Sequence, residues 1–158
     1  MKRKYLFPNK YKRIGWLILI PSIIIGLIVF TQEYEPIFLD FNVPAVFIGQ
    51  TFEGESFIRI IKNNILNEIL MVLIIMSSLF VAFSKEKIED EYISKIRLES
   101  LVWAVYVNYG VLLLSSLFIF DISFLFIMVF NMFTVLIFFI IRFNLQIYRL
   151  KKIANNEE

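Results

Sequence analysis

The chain contains no cysteine and no histidine. Disulfides, thiol nucleophiles, thiolate metal sites and histidine-centred acid–base or metal chemistry are therefore excluded. Carboxylate-only metal binding is left open, but no cluster of Asp and Glu marks a site for it. A lipidation motif is also missing. Val29-Phe30-Thr31-Gln32 lacks a small-x-small cleavage site, so the N-terminal apolar run reads as a retained signal anchor. Neither an internal repeat nor a convergent set of catalytic groups is present, which argues against an inverted-repeat transporter within one chain and against an enzyme.

What the sequence has in excess is apolar length. Of 158 residues, 59% are hydrophobic and 17% aromatic, and the mean hydropathy is +0.74. Four runs carry most of this, namely Ile14–Phe30, Ile65–Phe83, Leu101–Phe120 and Ile122–Ile141. Crossing about 30 Å of hydrocarbon as a helix takes about 20 apolar residues. The expected fold is all-α, a polytopic membrane protein with four transmembrane helices in an antiparallel bundle. The spans are placed at about 14–31, 65–84, 100–120 and 122–143 of a single integral membrane domain, 1–158. Between them lie a loop at 32–64 and a helical extension at 85–99 that enters the third span.

Charge distribution orients these spans. Of the 16 basic residues, 14 fall before the first run, between the second and third, or after the fourth. Only Arg59 and Lys62 lie between the first two runs. The positive-inside rule places both termini and the middle loop in the cytoplasm and the 32–64 loop outside. The basic residues are accounted for by topology, so they give no separate sign of nucleic-acid binding. Tyr5, Phe7, Tyr11 and Trp16, interleaved with lysines, suit the headgroup region.

Few polar groups fall within the spans. Ile69–Phe83 alone is short, so the second helix is expected to begin earlier and to carry Glu68 just inside the outer boundary. Glu68 is either a cation- or proton-binding carboxylate or a group reaching back to water, Arg59 or Lys62. The tight link at Asp121-Ile122-Ser123 makes the last two spans a hairpin. Asn108 and Asn131 then differ in depth by about 4.5 Å and can meet at the seam, with Tyr109 beside them. Such amides act as packing contacts or line a path. In the loop, Phe57, Ile58, Ile60, Ile61 and Ile65 have helical spacing, which reads as an amphipathic lead-in to the second span.

The segment Ser84–Ser100 is free of Pro and Gly. Ile88, Tyr92 and Ile96 recur every four residues, Lys87–Glu91 and Glu91–Lys95 pair opposite charges, and Ser84 can cap the start. The spacing predicts a mixed-charge helix that is either a docking surface, through Ile88, Glu91, Tyr92, Ile96 and Arg97, or a solvated extension of the bundle. Its charge is too balanced for a helix that binds lipid alone.

Residues 84–93 (Ser-Lys-Glu-Lys-Ile-Glu-Asp-Glu-Tyr-Ile), with 96–109 (Ile-Arg-Leu-Glu-Ser-Leu-Val-Trp-Ala-Val-Tyr-Val-Asn-Tyr) and 129–143, resemble small four-span membrane proteins of Bacteroidota-type bacteria. The resemblance covers about half the chain and brings no catalytic or cofactor-binding residue with it. It implies a bacterial inner membrane. Genes of such proteins often lie beside small helix-turn-helix regulators, which makes a cytosolic transcriptional regulator the expected partner. The expected function is therefore non-enzymatic: binding or regulating a partner through 84–100, with the bilayer and other copies of the chain as further partners. The alternative is a small oligomeric transporter or channel using Glu68, Asn108 and Asn131.

Overall fold

The computed structural model describes residues 5–32, 34–46 and 58–156. Four helices dominate: α1 (Asn9–Gln32), α2 (Leu66–Ala82), α3 (Glu91–Phe118) and α4 (Asp121–Asn156). Three of them, α1, α3 and α4, are long and apolar enough to cross a membrane, and most of their apolar surface is exposed. Lipid removes the penalty that such exposure carries in water. The chain is thus a membrane protein by the length and character of these helices. With 17 residues, α2 rises about 25 Å and falls short of that length.

The fold is not purely helical. Between α1 and α2, strands β1 (Asp40–Val46) and β2 (Ile58–Asn64) form an antiparallel pair running from Asp40 opposite Asn64 to Val46 opposite Ile58. The amphipathic helix expected over 57–64 is therefore a strand over its described part. The run Ile58-Arg59-Ile60-Ile61 is rich in β-branched residues, which are stiff at χ1 and favour extended backbone. Pairing with 40–46 supplies partners for its backbone groups that an isolated turn of helix lacks.

The chain divides into two compact units, Leu19–Ile74 and the remainder. In the Leu19–Ile74 unit, Asn64 joins hairpin to helix. Its amide donates to the Pro36 carbonyl and to Asp40 Oδ1, both at 2.8 Å, and its Oδ1 accepts from the Leu66 N–H at 3.2 Å. Asp40 also faces Lys62 at 3.2 Å. The Asn64 hydrogen bond first, and Lys62 second, hold the Asp40 carboxyl below the usual carboxylate range. This contribution is complete above the ordinary value of 3.8 and is lost as the pH falls through the lower folded value. The side-chain amide resonance of Asn64 is accordingly expected to titrate only below about pH 3.8, and Asp40→Asn to abolish that step.

In the second unit α3 and α4 pack along one another, linked by Ile119 and Phe120. The Ile119 N–H closes α3 on the Ser115 carbonyl at 2.9 Å. Asp121 opens α4 with φ of 58°. Aspartate tolerates this left-handed backbone better than most non-glycine residues, and it lets the chain reverse in two residues. The buried face of α3 includes Ile93, Arg97, Ser100, Ala104, Asn108 and Ser115, and that of α4 includes Phe139, Ile140, Phe143 and Ile147. Both follow helical periodicity. Near the start of α1, Gly15 lies against α2. A Cβ there would sit 2.8 Å from Val81 Cγ2 and 3.0 Å from the Ser77 carbonyl oxygen.

The helix expected from Ser84 begins only at Glu91, where Asp90 caps it by accepting from the Ile93 N–H at 2.7 Å. The preceding backbone is engaged elsewhere. The Phe7 N–H donates to the Phe83 carbonyl and the Lys85 N–H to the Phe7 carbonyl, both at 2.9 Å. The Phe83 carbonyl and the Lys85 N–H, spent on this parallel bridge, are lost to a helix that would run on through Ser84. Ile88 therefore stands outside the helix and out of register with Tyr92 and Ile96.

Candidate functional site

Among the described residues, the richest polar arrangement gathers where the start of α1 meets the connection from α2 to α3. Asn9 donates to the Lys85 carbonyl at 2.6 Å, and Lys12 pairs with Glu86. Phe80 packs against Phe7 and Tyr11, with ring centroids at 5.2 and 5.4 Å. Glu89 Oε2 accepts from the Glu86 N–H at 2.9 Å and from Arg97 Nη2 at 3.2 Å. Arg97 Nη2 also reaches the Ser84 carbonyl at 3.3 Å.

Phe143 of α4 lies at the centre. The Lys12 ammonium is 5.7 Å and the Arg97 guanidinium 5.0 Å from its ring centroid. Cations at that range are attracted by the ring quadrupole. Phe143 also stacks on Phe139, which stacks on Phe83. One residue before Phe143 on α4, Arg142 covers Trp103 of α3 at 5.1 Å. The side chains of Lys12, Glu86, Glu89 and Arg97 are all largely buried. Two cations are thus balanced by two carboxylates in a place of low water content, where pairing is strong and a missing partner costly.

The residues of the expected docking stripe separate here. Ile88, Glu91 and Tyr92 are exposed, with Ile88 on the connection and the other two in the first turn of α3. Ile96 and Arg97 are buried. Arg97 cannot belong to a surface that meets a partner, because Glu89, Ser84 and Phe143 enclose it. Exposure passes instead to Tyr92, Lys95, Leu98 and Glu99 on α3, and to Leu145, Tyr148, Arg149, Lys152 and Ile153 on α4.

The intramembrane candidates also divide. Asn131 donates to the backbone carbonyl of Asn108 at 3.2 Å, so the two meet across the α3–α4 seam. The Asn108 side chain is buried and its Oδ1 lacks a donor, while Tyr109 next to it is exposed. Glu68 belongs to the other unit. It is exposed in the first turn of α2 and accepts from Asn63 at 2.9 Å. Ser116, Thr134 and Asn144 each donate to a carbonyl three or four residues back, the usual resolution for such groups within helices.

Lys12, Glu86, Glu89 and Phe143 carry no sequence signal for the roles described. Lys12 is one of several basic residues that topology already explains, and Phe143 is one of 18 phenylalanines. Only long-range folding brings them together.

No family model, curated protein or solved structure matches the chain. The residues and their geometry are therefore what a functional reading rests on.

Proposed function

We propose that this chain is a non-enzymatic four-span protein of a bacterial inner membrane, with both termini cytoplasmic, that holds a cytosolic partner at the projecting ends of α3 and α4. In this reading α2 crosses with the three longer helices. The basic residues flanking the helices support the orientation.

The observation that carries the docking role is helix length combined with what the excess length displays. Running 36 residues, α4 rises about 54 Å, against about 30 Å of hydrocarbon. The first ten residues of α3 lie before its apolar run and next to the end of this excess. The outer surface of the pair offers Tyr92, Leu98, Leu145, Tyr148 and Ile153 among Glu91, Lys95, Glu99, Arg149 and Lys152. Large apolar side chains ringed by charges, beyond the reach of lipid, favour protein contact. A small transcriptional regulator is the proposed partner.

Because the chain has no native cysteine, single-cysteine labelling tests the orientation directly. Lys87→Cys is expected to be modified only from the cytoplasmic side and Ser123→Cys only from the opposite side. Crosslinking in native membranes tests the docking. A regulator captured by the wild type should be lost with Tyr92→Glu/Tyr148→Glu, and equal capture by both proteins would reject the surface.

The alternative proposal is an oligomeric transporter or channel, favoured by the buried Asn108 Oδ1 that lacks a donor. Liposome flux that falls with Glu68→Gln would support it over docking.

A further inference from the structure

Tyr109 stands at the middle of the apolar run of α3, between Leu101 and Phe118. Either end of that run is about 12 Å or more away along the helix. The ring is 62% exposed, and its hydroxyl has no hydrogen bond among the described residues. Tyrosine gathers at the headgroup level, where its hydroxyl stays wet. From mid-span the side chain cannot reach that level, and lipid tails offer an O–H donor no acceptor. A second helix can supply one.

Gly110 points to the same place. Nothing of the chain lies within 4 Å of its Cβ position, and its φ is not positive. Neither packing within the chain nor backbone conformation calls for glycine here, and inside a helix it is less favourable than alanine. Trp103, Tyr106, Gly110, Leu113 and Leu117 recur at intervals of three, four, three and four, the seam spacing of two helices wound about each other. All five are exposed, on the side of α3 opposite to buried Ser100, Ala104, Asn108 and Ser115.

We infer that this stripe is a dimer interface, on which a second copy of the chain packs its own α3 in parallel, Tyr109 of each copy donating to a carbonyl bared by Gly110 of the other. Copies inserted the same way round are related by a twofold axis along the membrane normal, so like residues meet at like depth. Glycine lets the two backbones approach closely. The Tyr106 carbonyl, one turn before Gly110, keeps a lone pair beyond its helix bond, and no Cβ at residue 110 shields it. Helix side chains lean toward the N-terminus, which carries the Tyr109 hydroxyl from beside the other copy's Gly110 to the level of that carbonyl. Trp103, Tyr106, Tyr109, Leu113 and Leu117 are each more than half exposed. Together they offer roughly 500 Å² per copy, so a pair buries about 1,000 Å², where specific interfaces begin. The inference goes beyond the docking reading, because the stripe lies within the apolar run and not at the projecting ends.

The absence of native cysteine makes the test direct. Under oxidation in native membranes, Tyr106→Cys, Leu113→Cys and Leu117→Cys are each expected to give a product of twice 18.8 kDa. Val105→Cys and Val111→Cys, exposed on other sides of the helix, are expected not to. Affinity is then read in phosphatidylcholine vesicles, by energy transfer between purified chains labelled at Lys87→Cys, as the protein-to-lipid ratio is varied. Gly110→Leu should raise the dissociation constant at least tenfold, and Tyr109→Phe about tenfold, one hydrogen bond being lost on each side. The fold of a single copy does not depend on residue 110, since its own chain leaves that space open, and circular dichroism checks this. Four results would overturn the inference: no crosslinked product, meaning that lipid alone covers the stripe; equal crosslinking at all five positions, meaning random collision; a product of another mass, meaning that a different protein sits there; or energy transfer in Gly110→Leu equal to that of the unsubstituted glycine.

Discussion

Gly15→Leu is expected to abolish recovery of folded protein, and Gly15→Ala to cost about 1–3 kcal/mol of stability. The reason lies in what a side chain at residue 15 would meet. Besides Val81 Cγ2, two backbone atoms of α2, the Ser77 oxygen and the Val81 nitrogen, would each lie 3.0 Å from the new Cβ. A side-chain tip can turn aside, whereas a helix backbone moves only as a whole. The facing surface is correspondingly small and buried, with Ser77, Ser78, Val81 and Ala82. Close approach through small residues is how helices associate where lipid is as apolar as the side chains. Unfolding in a detergent–denaturant titration, followed by circular dichroism, measures the effect. Gly110→Ala is the control, because nothing lies within 4 Å of its Cβ position. There the change should be neutral, or stabilising through helix propensity.

The second large effect is expected at Phe143. It is only 1% exposed, and Phe143→Ala should cost about 3–5 kcal/mol by the cavity it leaves. The ring also joins Lys12 from the start of the chain to Arg97 on α3. Losing it removes two cation contacts, each worth about 0.5–2 kcal/mol. Phe143→Leu separates the two contributions, since it keeps most of the apolar volume and loses the π face. The same unfolding titration applies. Cleavage by added protease after Lys10 or Lys12 should rise in Phe143→Ala, because the packing that shields Lys12 has gone. A Phe143→Ala protein as stable as wild type would mean that the paired charges hold this region without the ring.

Much of the helical content could be read from residue order, because a long apolar run bounded by basic residues has few alternatives. The second span was expected over 65–84, whereas α2 runs only from Leu66 to Ala82, because the Phe83 carbonyl and the Lys85 N–H are taken by Phe7. The meeting of Asn108 and Asn131 was legible, since a tight hairpin leaves little freedom in relative depth. Three features were not legible, each because a distant segment decided it. The strand at 58–64 depends on pairing with 40–46, and its spacing of isoleucines fits a helix as well as a strand. The start of α3 at Glu91 depends on Phe7, which takes the backbone groups that a helix from Ser84 would need. The burial of Arg97 depends on Phe143 and Glu89, and nothing in a mixed-charge stretch separates a guanidinium destined for the interior from one bound for water. Local periodicity thus served for the long apolar runs and failed where pairing with a distant segment set the backbone or the burial.

The bridge between Phe7 and Ser84 also has a temporal side. Asn9 and its partner carbonyl are 76 positions apart in sequence, so a chain made from its N-terminus carries one half of the bridge long before the other exists. Until α2 has been synthesised, the Phe7 backbone groups can bond only to water or headgroups. Closure is then a late event that waits until α1, α2 and everything between them have been made, and a chain in which it fails keeps its start loose and open to proteolysis.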